Sequence, residues 1–415
     1  MRIAALLAAA ALMLAGCAAN TITGRNQLML VSEDTAIKSS YGAYAQMMGG
    51  LGKKKQIETE GDRVKRVREI TDRLIAQAVR FRPDSASWNW EVQVINDPKT
   101  VNAFCMAGGK MAIYSGMWEK LKATDEEIAA VMGHEIGHAL ASHTRERMSV
   151  AYSTTIGTTI AAIALGARQD TAALMQTAAA VAIQLPNSRE SEIEADQIGI
   201  ELAARAGYDP AAAVTLWEKM GKLGGGNPPE FLSTHPSPQN RAARLKELAV
   251  QVQPLYVAAR ARRDEATPSF LSAREGANER TVTRPGELTR EEFAARAAAQ
   301  PETMTFLAEP FERFKSGKAV FDCRVQCAFA YGNRRNDWRK LHEQKRWRDL
   351  AISVMQVGYL SDLSYFLLAE SAKGLGLREA SATYYKRALE AGREHGCGDG
   401  CEGFEVRRLS AAALK

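Results

Sequence analysis

The segment "TDEEIAAVMGHEIGHALASHTRERM", residues 124–148, constrains the fold of this chain more than any other. Thr124 followed three residues later by Glu127 is the reciprocal pair of a capping box, which predicts that a long helix starts there. Inside that helix stands His134-Glu135-x-x-His138. Residues four apart share a helical face, so the two imidazoles can reach one metal ion while Glu135 turns toward the neighbouring side. The same letters also fit the polar residues of an ordinary helix, so the rest of the chain has to decide.

A catalytic zinc needs three protein ligands and a water. His143 is the nearest further histidine, but the metzincin pattern wants glycine at 141 and histidine at 144, and this chain has Ala141 and Thr144. Some fifty residues on, "NSRESEIEADQIGI" forms a second helical segment with Glu192 and Asp196 one turn apart. That spacing suggests a division of labour in which Glu192 gives a carboxylate to the metal and Asp196 accepts the free N–H of a ligand histidine.

Around these helices the chain reads as a globular protein with a helical bias. At 415 residues and 46% hydrophobic content it can build one large core or two smaller ones. Its 54 basic and 48 acidic residues contain no long basic block, so no nucleic-acid partner is indicated. Val64, Val67, Ile70, Leu74, Ile75 and Ala78 recur at helical spacing up to Pro83. "WNWEVQVIND" alternates like a strand, and "KMAIYSG" after Gly108-Gly109 reads as a second short strand. Two uncharged stretches, 148–167 and 171–187, allow a membrane-spanning hairpin, although their Ser, Thr, Gly, Gln and Ala content favours a helical pair in solution or on a membrane surface. Beyond about residue 250, Pro268, Pro285, Pro301 and Pro310 punctuate an Arg/Glu/Ala-rich linker. In the final hundred residues, Ala369, Ala372, Gly376, Ser381, Tyr385 and Ala388 approximate a tetratricopeptide helical hairpin, with a generic amphipathic hairpin as the alternative.

The N-terminus, "MRIAALLAAAALMLAGC", has one basic residue, an apolar run from Ile3 to Leu14 and then small residues, which is the pattern of an export signal. Leu14-Ala15-Gly16-Cys17 resembles the lipobox of bacterial lipoproteins, which implies cleavage before Cys17 and a lipid anchor on it. An ordinary signal peptide cut near Ala18 or Ala19, or an uncleaved anchor, is the other reading. Ala18 stands where an inner-membrane retention aspartate would be, so the same resemblance points to the outer membrane and the periplasm.

The two helices, together with "TGRNQLMLVSED", "NAFCMAGGKMAIYSGM", "AGYDP" and "STHPSPQNRAARL", resemble peptidase family M48, the HtpX-, BepA- and LoiP-like gluzincins, over roughly residues 25–250. The exported lipoprotein subgroup is the nearest in pattern. Ala107 stands where relatives commonly carry proline. The resemblance implies one Zn2+ per chain held by His134, His138 and Glu192, with Glu135 as general base and Asp196 behind a ligand histidine. His235 in "THPSP" would either stabilise the oxyanion or ligate zinc in a resting state. Gly108, Gly109, Lys110, Met111, Ala112 and Ile113 are read as the edge strand that would pair with an extended substrate. Cys105 is read as a buried small hydrophobe rather than a nucleophile.

The expected fold class is therefore α+β, mainly α, a gluzincin-type domain with a small β-sheet followed by a tetratricopeptide-like module. The expected divisions are a signal peptide over 1–16, a lipid tether and N-terminal segment over 17–60, the metallopeptidase over 61–250, a linker with some helix over 251–315, and the helical module over 316–415. The expected activity is zinc endopeptidase action on unfolded or misassembled envelope polypeptides. The alternative is an envelope assembly factor or chaperone that meets assembly machinery through its C-terminal module, with proteolysis secondary. The spacing of Cys323 and Cys327, and of Cys397 and Cys401, resembles twin C-x-x-x-C pairs that staple neighbouring helices, and export favours disulfides over zinc there. Two bonds from the first pair to the second are expected, closing a loop of about 70 residues worth roughly 4 kcal/mol; bonds within each pair are the alternative.

Overall fold

The computed structural model describes residues 17–20, 22–23, 25–164, 185–223, 229–236, 240–261, 268–272, 288–302, 304–305, 308–321, 325–394 and 404–414. Contacts divide the chain into two units, Leu30–Thr305 and a second made of Met1–Met29 with Phe306–Lys415.

The first unit is built on a four-stranded mixed sheet. In chain order, β1 (Cys17–Ala19) and β2 (Asn26–Leu28) pair with each other in the second unit, while β3 (Ile57–Glu58), β4 (Glu91–Ile95), β5 (Ala103–Met106) and β6 (Lys110–Tyr114) form this sheet in the order β3-β4-β6-β5. β6 runs parallel to β4, with Glu91 opposite Lys110, and antiparallel to β5, with Met106 opposite Lys110. This corrects the placement of the substrate edge at Gly108–Ile113. Lys110, Met111, Ala112 and Ile113 lie in an interior strand whose backbone groups pair on both sides, leaving none for a further chain. Gly108 and Gly109 are the hairpin turn before it, at φ +81° and +83°, and a Cβ there would strike Tyr41 and Trp90 respectively. The edges of this sheet are β3 and β5, and β5 is the one that flanks β6.

Helices surround the sheet. α1 (Glu33–Lys53) begins at Ser32, whose hydroxyl accepts from the Thr35 N–H, and has two acids in its first turn. It occupies part of the expected tether, and its glycines and alternating polar residues explain why no strong helical period marks it. α2 (Asp62–Phe81) buries Val64, Val67, Ile70, Leu74, Ile75 and Ala78 on one face. α3 (Asp125–Leu140) starts with the capping box that the sequence signals: Thr124 Oγ1 accepts from the Glu127 N–H at 3.3 Å, and Glu127 Oε2 accepts from the Thr124 N–H at 2.9 Å. Glu127 also takes hydrogen bonds from Lys219 Nζ at 2.6 Å and Thr215 Oγ1 at 2.8 Å. Burial pushes its carboxyl up, but these donors outweigh it and hold the group below the usual carboxylate range. The start of α3 is thereby tied to a neighbouring helix.

α4 (His143–Ala164), α5 (Arg189–Arg205), α6 (Ala211–Lys222), the short α7 (Glu230–Thr234) and α8 (Arg241–Arg260) complete the core of this unit. Among the described residues no helix is long and apolar enough to cross a membrane. Residues 165–184, part of the uncharged stretches, lie outside the described residues. Within the stretch read as a linker, the described parts are packed. Phe270 and Leu271 donate backbone N–H groups to Asp72, Ser272 donates to the Trp90 carbonyl, and α9 (Arg290–Ala299) buries Phe293 and Ala297.

The second unit is helical: α10 (Ala308–Lys315), α11 (Val325–Glu343), α12 (Trp347–Val357), α13 (Asp362–Gly374), α14 (Arg378–Glu394) and α15 (Val406–Ala413). α13 and α14 are the hairpin read from the small and aromatic residues, with Ala369, Ala372, Tyr385 and Ala388 buried in its core. Gly376, at φ +76°, supplies the left-handed residue between them. Trp338 donates its indole N–H to Ser353 at 2.8 Å, joining α11 to α12.

Candidate metal centre

Glycine sets the distance between the two helices that carry the site. A Cβ on Gly199 of α5 would lie 2.5 Å from the backbone nitrogen of His134 and 2.7 Å from its Cα. One on Gly133 of α3 would lie 2.8 Å from the Gly199 carbonyl oxygen, and one on Gly137 would lie 3.0 Å from that of Ala195. The helices therefore cross main chain against main chain, and residues on their facing turns come within ligand reach. Gly199→Ala should force α5 outward, lowering stability by about 1–3 kcal/mol and weakening zinc binding together. Chemical denaturation and zinc titration test this, and a variant matching wild type in both would show that the crossing does not set the site.

His134, His138, Glu192 and His235 each offer one donor atom, and these atoms all lie within 4.8 Å of one another in a buried cluster. The Nε2 atoms of His134 and His138 are 3.0 Å apart, so they cannot both carry a proton. Glu192 Oε2 is 3.5 Å from His134 Nε2, and its Oε1 is 3.4 Å from His138 Nε2. Among the described residues that Oε1 has no hydrogen-bond partner, nor has Oε1 of the buried Glu135. A buried carboxylate oxygen left without a donor is costly unless a cation completes it. Imidazole nitrogens with one carboxylate in tetrahedral number fit zinc.

Behind the donors, Asp196 Oδ1 is 3.1 Å from His134 Nδ1. His235 has its Nδ1 3.1 Å from the Phe231 carbonyl, an acceptor that takes an N–H, so its Nε2 presents a lone pair, 3.3 Å from Glu135 Oε1. Its ring stacks on Phe231 at 4.2 Å. α7 is fixed by the Phe231 N–H donating to Val101 at 3.2 Å and by the Asn187 N–H donating to Thr234 at 3.0 Å.

Burial alone would push His134 down, but Asp196 and Glu192 raise it to about 9. Burial holds His138 well below its ordinary value and His235 at about 3. Glu192 is pushed up by burial, yet the two histidines beside it overcome this and keep it far below the usual carboxylate range. Glu135 is pushed up to about 8 by burial, against the pull of His134. The pocket thus separates one firmly ionised carboxylate from one poised near neutrality.

Arg241 escaped the sequence reading. Its Nη1 donates to Glu192 at 3.0 Å and its Nη2 to Asp196 at 2.6 Å, with the guanidinium 3.3 Å from the centre of the Trp217 ring. Two acids one turn apart on a buried face were the available signal, since burial demands a cation nearby. Asn187, whose Nδ2 lies 3.4 Å from His138 Nε2, also went unremarked. Gly108–Ile113 do not join the cluster as an edge. Cys17 begins β1 and Cys327 lies on α11, while Cys323, Cys397 and Cys401 fall outside the described residues. Cys105 is buried and its thiol is raised well above the ordinary range by burial.

A sequence model described as peptidase family M48 matches residues 62–249. Metalloprotease LoiP of Escherichia coli is 33% identical over 177 residues, covering 42% of this chain and 67% of that protein. The chain belongs to peptidase family M48. Its members use zinc, and the donor cluster described above suits that ion. Other M48 relatives include mitochondrial metalloendopeptidase OMA1 of Arabidopsis thaliana, 43% identical over 170 residues, with 41% of this chain and 33% of that protein covered. The β-barrel assembly-enhancing protease of Escherichia coli is 31% identical over 167 residues, with 38% and 34% covered. Among these M48 relatives the matched length therefore ranges from about a third to two thirds of the relative.

Proposed function

We propose that this chain is a zinc metalloendopeptidase of the bacterial periplasm, lipid-anchored through Cys17 to the outer membrane, that degrades misfolded or misassembled envelope proteins. The observation that carries the activity is the buried set His134, His138, Glu192 and His235 with Glu135 beside it. The lipobox-like Leu14-Ala15-Gly16-Cys17 and the name of the β-barrel assembly-enhancing protease among the relatives support the envelope reading. Two disulfides drawn from Cys323, Cys327, Cys397 and Cys401 would staple the helical module, which in this reading presents or selects substrates.

His134, His138 and Glu192 would hold the zinc, which when bound supplies a Lewis acid that polarises the scissile carbonyl and acidifies water. Glu135 takes the proton from the attacking water and returns it to the departing amine. Asp196 holds the His134 ring by its Nδ1–H, leaving Nε2 free to donate its lone pair. The lone pair that His235 turns toward the cluster favours the resting-state ligand role over oxyanion stabilisation in this conformation. An extended substrate would lie along β5, where the register with β6 turns the backbone groups of Ala103 and Cys105 away from β6 and the Cys105 N–H meets Glu135. Pairing through main chain makes the enzyme tolerant of substrate sequence.

Metal removal tests the activity. The purified chain should carry one zinc, lose cleavage of an unfolded protein on chelation and regain it when zinc is restored. Cleavage that persists in metal-stripped protein would overturn the reading. Zinc-loaded protein that cleaves no unfolded polypeptide would favour the assembly-factor alternative.

A further inference from the structure

His134 and His138 are held differently, and the difference points to two further residues. Behind His134 a carboxylate, Asp196, sits directly on Nδ1. Behind His138 there is a second imidazole: His138 Nδ1 lies 2.7 Å from Nδ1 of His143, and His143 Nε2 lies 3.0 Å from Oε2 of Glu194. All three side chains are buried.

The backbone explains how His143 gets there. α3 ends at Leu140, Ser142 takes a left-handed φ of +55°, and α4 starts at His143, so the chain changes direction directly after the helix that carries His138. Arg82 fixes the break, donating from Nη1 to the Leu140 carbonyl at 3.0 Å and to Ser142 Oγ at 3.1 Å. Glu194 comes from α5, two residues beyond Glu192.

We infer that His143 and Glu194 are positioning residues that set the tautomer and ring orientation of His138 for the metal. A carboxylate only accepts, so Glu194 requires the His143 proton on Nε2. The other nitrogen of a neutral imidazole is then an acceptor, so His143 Nδ1 takes the N–H from His138 Nδ1. That leaves His138 Nε2 with its lone pair aimed at the cluster, where it faces His134 Nε2 and Glu192. The direction of every hydrogen bond in the relay follows from its carboxylate end. α5 thus serves the site three times, through Glu192 directly, through Asp196 behind His134 and through Glu194 across two imidazoles.

The inference rests on the zinc reading above, and the test separates the two. Zinc affinity of the full chain is measured by competition with a chromogenic chelator, the visible spectrum is recorded with cobalt in place of zinc, and the metal-free protein is melted as a control. His143→Phe, which keeps an aromatic ring but removes the acceptor, should weaken zinc binding by about 10–100-fold and alter the cobalt spectrum. Glu194→Gln should weaken binding less, by about tenfold, because the amide oxygen can still accept. His143→Asn, whose side-chain oxygen can accept from His138, should recover part of the loss. If His143→Phe fails to fold, Glu194→Gln and His143→Asn decide. Variants that fold and keep affinity within about twofold of wild type with an unchanged cobalt spectrum overturn the relay. Altered melting alone, with unchanged affinity, assigns these residues to the fold and also overturns it. A wild-type chain that takes up no zinc sinks the zinc reading and this inference together, whereas wild-type affinity in the variants sinks only the relay.

Discussion

Glu135→Gln should reduce cleavage of an unfolded protein by about 10²–10⁴-fold, the range that a positioned acid–base group supplies, while leaving the zinc content at one per chain. The amide has nearly the shape of the carboxyl, so the pocket closes around it without a void. It cannot accept a proton from water or pass one to the amine, and that is the whole of the expected loss. The metal count stays because the cluster of four donors does not include Glu135. Single-turnover cleavage and metal analysis on the same sample decide the matter. Loss of zinc in this variant would mean that Glu135 supports the ligands rather than the chemistry.

Arg241→Met should be among the most damaging single changes to stability, on the order of 3–5 kcal/mol, because it removes the cation shared by two buried carboxylates. Glu192 and Asp196 would then be offset by His134 and His138 beside them and by the charge of the buried Arg147. A bound divalent cation supplies part of the missing charge, so the loss should be larger in metal-free protein than in zinc-loaded protein. Arg241→Lys should restore part of the stability but not the two-pronged contact, since an ammonium cannot span both acids in one plane. Melting curves with and without chelator for wild type and both variants measure this. Equal melting temperatures for wild type and Arg241→Met in the metal-free state would reject the clamp.

The parts of this molecule that sequence disclosed are those governed by neighbours along the chain. The start of α3 is written in Thr124 and Glu127, the strand at Glu91–Ile95 in alternation, and the strand at Lys110–Tyr114 in a short apolar run after two glycines. Sheet order is different, because it depends on which strands meet after long excursions. β6 follows β5 through a tight turn and then pairs on its far side with β4, so its short apolar run marks it as a strand without saying which strands flank it. The zinc helices were legible because metal ligands obey helical spacing. Arg241 and Glu194 were not, since the partners of each lie some fifty residues away and a charged residue in a helix ordinarily faces water. α1 was missed for a third reason: its serines, tyrosines and glycines give a weak period, and its docking rests on contacts such as Tyr44 Oη donating to the Met111 carbonyl at 3.0 Å.

The crossing of α3 and α5 through Gly133, Gly137 and Gly199 also bears on how the protein should wear under random substitution. Where helices meet through side chains, any change in core volume alters the gap between them, and a site spanning the gap drifts with it. Here the closest approaches are main chain against main chain at the glycines, so the spacing is set by backbone geometry at the contact. A methyl group deleted elsewhere in the core, at Leu74 or Ile128 for instance, should lower the melting temperature yet leave the donor spacing and zinc affinity untouched. Substitutions should therefore sort into two groups: a large one that only reduces how much folded protein survives, and a small one at the glycines and ligands that also weakens the hold on the metal.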